Sequence, residues 1–165
     1  MNEAARKQRN EQRLTECFPK TAARIAAVIK DLEAQGIRPR IQDAHRTIAA
    51  QIDAFNHGFS KVRFGFHNVT GAGGKAESLA VDLLDDDHPT GNPPRKYIIL
   101  LAEAALAHGL QPGSFFGLPQ SLRAGLTKAI QDHNFDPNIK IGFDPTHIEA
   151  TGLSIAEAKA GKRPT

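Results

Sequence analysis

The sequence contains a single cysteine, Cys17, among its 165 residues. One cysteine excludes an intramolecular disulfide and a zinc site built from cysteine thiolates. Because Cys17 precedes Phe18 and Pro19, where a helix is expected to end, we interpret it as a partly buried structural thiol rather than a nucleophile. A metal site in this chain therefore depends on histidine and carboxylate side chains.

The sequence also lacks a long apolar run. The longest, from Tyr97 to Leu110, is interrupted by Glu103 and His108, whereas a helix that crosses a membrane needs about 20 apolar residues. The amino-terminal stretch MNEAARKQRNEQR is polar, and no apolar segment of a secretory signal follows it. We therefore predict no transmembrane segment, synthesis in the cytoplasm, and a different exit route for any work outside it.

Charge of one sign is not concentrated anywhere along the chain. The formal net charge is only +3, and the lysines and arginines are scattered. Nucleic-acid-binding proteins usually carry a basic stripe or a dense basic cluster. The composition therefore does not favour a nucleic-acid partner, and we expect a monomer that binds none.

The apolar patterns predict one α+β domain over residues 1–165, with helices packed around a small antiparallel sheet. Residues 1–20 are expected to form a polar, solvated helical arm. We predict further helices from Thr21 to Gly36, Thr47 to Phe55, 95 to 108 and 119 to 132, and one capped by Ser154. We predict extended segments at Ile37–Ala44, Lys61–Phe66, Leu79–Leu84 and Ile139–Ile148, and a surface loop at Asp85–Pro94.

Asp82 is anomalous because it lies inside the apolar segment LAVDLL. An ionised carboxylate is costly to bury unless it is paired, hydrogen-bonded or bound to a metal. One interpretation is structural, in which Asp82 caps a turn or meets an arginine such as Arg46 or Arg63. The other is that Asp82 is a metal ligand.

Two histidines extend the second interpretation. His67 follows an alternating segment and precedes a glycine-rich loop, where a structural histidine is also common, and His147 lies three residues after Asp144. Two imidazoles and one carboxylate form a zinc site that leaves the fourth tetrahedral position open, where bound water has a pKa of about 7. A carboxylate beside that site can accept the proton of the water. Asp144 is placed for this purpose, while Glu149 either competes for it or orients a ligand histidine.

These residues resemble the zinc signature of the D-alanyl-D-alanine carboxypeptidase and L-alanyl-D-glutamate peptidase family, which includes VanY-like zinc peptidases and many phage endolysins. The family signature runs Ser-x-His, Ala-x-Asp-Leu and then Asp-x-x-His or Glu-x-x-His. The matching segments, in the same order, are GFH at 65–67, AVDL at 80–83 and DPTH at 144–147. The resemblance implies that His67, Asp82 and His147 bind Zn²⁺ in a cleft on the sheet, and that Asp144 is the catalytic base.

The resemblance covers residues 37–150, the expected catalytic core. The family's Gly-Tyr-Arg-Ser segment corresponds to Ala-His-Arg-Thr at 44–47, which implies that Arg46 contacts the scissile carbonyl. Gln51 matches a family glutamine and is our candidate for substrate binding, although a surface glutamine is the simpler interpretation.

Three features depart from the family pattern. The loop at 68–78 is longer than the family's spacer and could reshape the cleft, and Ser78 replaces a glycine. The chain has no tryptophan, so Phe115 or Phe116 is the candidate to replace the aromatic residue of a Gly-Gly-x-Trp motif.

The resemblance implies zinc-dependent hydrolysis of a peptide bond in peptidoglycan, either between L-Ala and D-Glu or next to a D-amino acid. A phage endolysin released through a holin, or a lytic effector delivered by a secretion system, would fit the polar amino terminus. Two hypotheses of other classes are a metal- or wall-binding module without catalysis and a basic nucleic-acid-binding protein. Asp144 argues against the first, because a binding module needs no base.

Overall fold

The computed structural model describes residues 1–90 and 93–165. Within them the chain forms six α-helices and one four-stranded sheet, which confirms the predicted α+β fold. The helices are α1 Glu3–Leu14, α2 Pro19–Ala34, α3 Ile48–Asn56, α4 Arg95–Ala107, α5 Gln120–Gln131 and α6 Ile155–Lys159. The strands are β1 Pro39–Asp43, β2 Ala80–Asp85, β3 Leu110–Pro112 and β4 His147–Ala150. None of these helices is both long and apolar enough to cross a membrane.

The sheet has the strand order β1-β2-β4-β3, and every neighbouring pair is antiparallel. The two strands that carry predicted metal ligands, β2 and β4, are therefore the central pair. Pro39 begins β1 at an edge of the sheet, as expected of a residue that cannot donate a hydrogen bond to a neighbouring strand.

Successive side chains of a strand point to opposite faces of the sheet. Val81 and Leu83 of β2 and Ile148 of β4 are fully buried in the main core. This core also contains apolar residues of α2 and α4, among them Ile25, Leu32, Leu100 and Leu101. The alternate positions of the same strands, which include Asp82 and His147, lie on the other face. The helices thus fix the sheet from one side and leave the opposite side for a site.

Helix α1 exists as predicted, but it is docked rather than solvated. Asn10 is buried, and its amide donates to Pro39 O at 2.9 Å and accepts from Ile41 N at 2.8 Å. Arg6, also buried, donates to Pro39 O at 2.6 Å. These side chains supply the hydrogen-bond partners that the edge strand β1 lacks on its outer side, which protects that edge from pairing with another chain.

Two predicted strands are wrong in whole or in part. Lys61–Phe66 is irregular, because Val62 O accepts from the side chain of Gln51 instead of from a strand, and Phe66 begins a 3₁₀ turn. In the segment predicted over 139–148, only His147 and Ile148 belong to a strand. The chain before them turns, and His147 N donates to Asp144 O at 3.1 Å.

Some predicted helix starts differ from the structure, and others are confirmed. Helix α2 begins at Pro19 with Phe18 as its cap, so Thr21 is a buried first-turn residue and not the predicted cap. Thr47 and Ser154 do cap α3 and α6. The predicted loop at 85–94 includes Gly91 and Asn92, which lie outside the described residues.

The loop at 68–78 packs away from the sheet centre. Arg163 donates to Glu77 Oε2 and to Thr70 O, both at 2.7 Å, and so ties the loop to the carboxyl-terminal segment. Gly71 packs against Glu77 so closely that a side chain at position 71 would overlap its carboxylate. Close packing thus accounts for Gly71, whereas Gly73 and Gly74 have open space around them and adopt positive φ values.

We predict that Asn10→Ala lowers the free energy of unfolding by about 1–3 kcal/mol, because it removes the partner of the buried Ile41 N–H. Urea denaturation of the purified protein measures the change. The matched control is Gln8→Ala, an exposed position on the same helix, which should change stability by less than about 0.5 kcal/mol. Equal stability of the two variants would contradict the docked arrangement.

Candidate metal centre

The register of the central strand pair places two of the predicted ligands together. Asp82 of β2 lies directly opposite His147 of β4. Residues opposite one another in an antiparallel pair have Cβ atoms about 4.5–5.5 Å apart on the same face. His147 Nδ1 accordingly lies 3.1 Å from Asp82 Oδ1. This strand pairing thus brings two of the three predicted ligands together.

His67 reaches the same point from outside the sheet. It lies in the 3₁₀ turn Phe66–Asn68, which is held by hydrogen bonds from Leu79 N to Phe66 O at 3.0 Å and from Arg46 N to His67 O at 2.9 Å. Its Nε2 is 3.2 Å from His147 Nδ1 and 3.6 Å from Asp82 Oδ1. The three predicted ligands, distant in sequence, therefore converge.

The distances among these atoms fit a tetrahedral metal site. With metal–ligand bonds of about 2.0–2.1 Å, the ligand atoms of a tetrahedral zinc site are about 3.3 Å apart. The separations of 3.1, 3.2 and 3.6 Å bracket that value. The donor set of two imidazoles and one carboxylate is typical of zinc, so the residues present fit the ion that the sequence predicted.

The remaining imidazole nitrogens fix the orientation of both rings. His67 Nδ1 lies 2.6 Å from Ala44 O, which can only accept, and His147 Nε2 lies 2.9 Å from Glu149 Oε2. Each ring therefore donates a proton away from the cluster and directs a lone pair into it. Two lone pairs and a carboxylate oxygen that face one another require a cation among them, either a proton or a metal ion.

The electrostatics of the cluster agree with that requirement. Burial favours a neutral Asp82, but hydrogen bonds with His147 and His67 outweigh it and hold the pKa of Asp82 well below its usual range. Burial alone would lower the pKa of His147, but hydrogen bonds to Asp82 and Glu149 raise it to about 10. A metal ion has to displace the proton on His147, because a ligating imidazole is neutral.

Asp144 and Glu149 stand on different sides of His147. Asp144 Oδ2 is 3.9 Å from Nδ1, the nitrogen that faces the cluster, whereas Glu149 contacts Nε2, the nitrogen that faces away. Glu149 is thus placed to orient the ligand, and Asp144 is placed to act inside the site. Burial raises the pKa of Asp144, which brings it towards the neutral pH at which a proton acceptor works best.

The turn that holds Asp144 requires a glycine beside it. A Cβ built on Gly113 would overlap Asp144 O and would come within 3.0 Å of His147 Cβ. The segment 113–115 can approach the turn only because position 113 has no side chain. A substitution here would shift Asp144 and His147 together.

Arg46 is held beside the cluster by two partners. Asp43 Oδ2 accepts from its Nε at 2.9 Å and from its Nη2 at 2.5 Å, and Gln51 Oε1 accepts from Nη1 at 3.0 Å. A guanidinium has five N–H groups, so these three bonds leave two for a ligand. Arg46 Nη2 also lies 3.9 Å from Asp82 Oδ2, so the structural interpretation of Asp82 and the metal interpretation coexist.

Gln51 is buried, not a surface residue, and most of its amide is occupied. Its Nε2 donates to Ser60 Oγ and to Val62 O, both at 2.7 Å, while its Oε1 accepts from Arg46. Through these hydrogen bonds Gln51 connects Arg46 to the segment 58–65. Substrate binding by Gln51 remains a prediction, and it would require one of these hydrogen bonds to break.

The cluster lies in an open cleft of about 510 Å³. Arg46, Asp144 and Glu149 line it together with the three metal-ligand candidates. Phe116 also lines the cleft, and its ring centroid lies 5.5 Å from that of His147. Phe115 is buried in the helical core. Of these two candidates, Phe116 is therefore the one at the site. Among the described lining residues none belongs to the loop 68–78, and a reshaping of the cleft by that loop remains a prediction.

The sequence analysis missed two contributors to the site. Asp43, which fixes Arg46, was assigned only to a strand, although an acid three residues before an arginine is a visible signal. Lys61, which also lines the cleft, was assigned to a strand that does not form. No local signal indicates that Lys61 lies near the site, because only the tertiary fold brings the segment 58–65 to the cleft.

Comparison with known structures supports the fold. The structure of an L-Ala D-Glu endopeptidase, ChiX of Serratia marcescens, matches with a TM-score of 0.52 and 15% sequence identity over 87% of this chain and 86% of that chain. A structure of VanYB in complex with D-alanine-D-alanine matches with a TM-score of 0.44 and 15% identity over 84% of this chain and 72% of that chain, a similarity too distant to bear on function. No protein-family model and no curated protein matches the sequence. The predicted resemblance is thus confirmed as a shared fold.

We predict that zinc affinity distinguishes a variant of a metal ligand from variants of the orienting group and of the candidate base. His67→Ala should abolish tight binding, and Glu149→Ala should weaken it by about 10- to 100-fold, because an orienting partner of a ligand is lost. Asp144→Asn and the exposed control His57→Ala should bind within about threefold of the parent protein. Competition with a chromogenic chelator measures the affinities, and circular dichroism checks folding. A greater loss in Asp144→Asn than in Glu149→Ala would reverse the two assignments.

Proposed function

We propose that this protein is a zinc-dependent peptidase that hydrolyses a peptide bond in peptidoglycan stem or cross-link peptides. One observation carries the proposal: His67, Asp82 and His147 converge at the floor of a cleft that Arg46 and Asp144 also line. A peptidase site needs an electrophile, a proton acceptor and a group that stabilises the oxyanion. This cleft provides candidates for all three.

The metal ligands supply the first requirement. When bound by His67, Asp82 and His147, Zn²⁺ supplies a Lewis acid that polarises a carbonyl group and lowers the pKa of water. The hydrogen bonds of Ala44 O and Glu149 to the two rings keep the ligand set oriented before the ion arrives. The site is thereby preorganised.

Asp144 and Arg46 supply the other two. Asp144 takes a proton from the attacking water and delivers it to the leaving amine nitrogen as the C–N bond breaks, which yields a carboxylate and a free amine. The two free N–H groups of Arg46 stabilise the negative charge that develops on the carbonyl oxygen. Arg46 keeps its position because Asp43 and Gln51 hold three of its other N–H groups.

The choice of peptidoglycan rests on the motif order and on the fold shared with an L-Ala D-Glu endopeptidase. The proposal includes two activities, L-Ala-D-Glu endopeptidase and D,D-carboxypeptidase, and the open cleft is compatible with both. The alternative, a metal- or wall-binding module, does not account for Asp144 on the ligand-facing side of His147. Action as an endolysin or as a delivered effector remains a prediction.

We predict that the zinc-loaded protein releases soluble peptides from purified peptidoglycan sacculi, and that mass spectrometry of the muropeptides identifies the bond. Asp144→Asn should lower kcat by roughly 100- to 10,000-fold because it removes the proton acceptor, while zinc remains bound. The matched control is Asp132→Asn, an exposed acid at the end of α5, which should retain full activity.

Two results would refute the proposal. One is a fully metal-loaded, folded protein that leaves every peptide bond of the sacculi intact. The other is hydrolysis that persists unchanged in Asp144→Asn.

A further inference from the structure

We propose that Lys61 is a specificity-determining residue that binds a free carboxylate on the substrate residue at the leaving side of the scissile bond. The inference rests on the proposed function and narrows its substrate class. It starts from the charges of the cleft. Lys61 and Arg46 are cationic residues that line the cleft, and they are used differently.

Arg46 is committed to the protein itself. It forms an ion pair with Asp43 and lies beside Asp82. Among the ion pairs formed by the described residues, none involves Lys61. The ammonium group of Lys61 therefore retains its charge for a ligand, whereas much of the charge of Arg46 is already neutralised.

Lys61 is an exposed residue of the cleft and contacts an aromatic ring there. Its Nζ lies 3.9 Å from the centroid of the Phe143 ring, a cation–π contact. Phe143 precedes Asp144 in the chain, and its ring centroid lies 6.0 Å from that of Phe116. The contact joins the segment 58–65 to the wall that carries the candidate base, so the ammonium group lies against the residue that precedes Asp144.

The anionic residues of the cleft make such a cation necessary. Asp82, Asp144 and Glu149 all line it, and their combined charge opposes the approach of an anionic peptide. A divalent metal would offset part of that charge at the floor. Lys61 adds a positive charge at the wall, where an anionic group of a ligand can pair with it.

The two proposed bonds share the chemistry that Lys61 would recognise. In an L-Ala-γ-D-Glu bond, the leaving nitrogen belongs to D-Glu, whose α-carbon carries a free carboxylate. In a terminal D-Ala-D-Ala bond, the leaving nitrogen belongs to D-Ala, whose α-carbon also carries a free carboxylate. A cation that lines the cleft can pair with the same group in both cases.

The test compares two pairs of peptides in their free-acid and carboxamide forms. One pair is L-Ala-γ-D-Glu-L-Lys with the α-carboxylate of D-Glu free or amidated. The other is acetyl-L-Lys-D-Ala-D-Ala with its terminal carboxylate free or amidated. The pair that the protein cleaves identifies the source of the carboxylate.

We predict that the parent protein favours the acid form by about fivefold in kcat/KM, mainly through KM, as expected for a partly solvated ion pair. Lys61→Met should remove the preference, because kcat/KM on the acid form falls to the value on the amide form, and Lys61→Arg should restore most of it. Added salt should weaken the preference, because it screens exposed charges. The matched control is Lys159→Met, which removes a lysine that stacks 5.2 Å from Phe64, outside the residues that line the cleft.

An unchanged preference in Lys61→Met, or an equal loss on acid and amide forms, would overturn the inference. If neither peptide pair nor the sacculi are cleaved, the proposed function fails, and calorimetric binding of the same peptides then decides the inference alone. A preference for the acid forms that Lys61→Met abolishes would still support it. Binding without that preference would overturn it.

Discussion

The pairing of β2 with β4 is the constraint on which the rest of the site depends. It sets Asp82 opposite His147, and it places Glu149 on the same face of β4 as His147, two residues along the strand. A shift of one residue in this register would turn all three side chains into the helical core. The fully buried Val81, Leu83 and Ile148 prevent such a shift, because it would move them to the cleft face. Core packing and site geometry are therefore two results of one register.

The other parts of the site are irregular segments attached to this strand pair. His67 arrives on a 3₁₀ turn whose carbonyl oxygens accept hydrogen bonds from Leu79 and Arg46. Asp144 arrives on a turn that packs against Gly113, where no side chain can be accommodated. These segments have little regular structure, so the fixed sheet and side chains such as Asp43 and Gln51 give them their positions. Loops on a rigid scaffold are a common arrangement for binding and catalytic residues.

The hydrogen bonds around the two histidines explain why the cluster suits a metal ion. Ala44 O and Glu149 each accept a hydrogen bond from the outer nitrogen of a ring. The inner nitrogens and the Asp82 carboxylate then form a closely spaced triangle that carries negative charge. The neighbouring buried residues of the same strands are apolar. A zinc ion would be attracted to this triangle, and its fourth coordination position would remain open.

Parts of this arrangement could be predicted from the sequence, for identifiable reasons. Asp82 was visible because a carboxylate interrupts an apolar strand, and the helices were visible from their periodicity and caps, such as Thr47 and Ser154. Lys61–Phe66 alternates as a strand does, yet no strand among the described residues pairs with it, and Gln51 donates to Val62 O instead. The separate positions of Asp144 and Glu149 depend on which nitrogen of His147 each one faces. The sequence contains no signal for that, since it follows from the orientation of one ring.

X-ray absorption at the zinc edge, on the zinc-loaded protein, tests the convergence of the ligands most directly. The structure predicts four nitrogen or oxygen neighbours at about 2.0–2.1 Å, two of them imidazoles, with no sulfur. One imidazole should disappear in His147→Ala. Six oxygen neighbours without any imidazole, or a spectrum that His147→Ala leaves unchanged, would contradict the account.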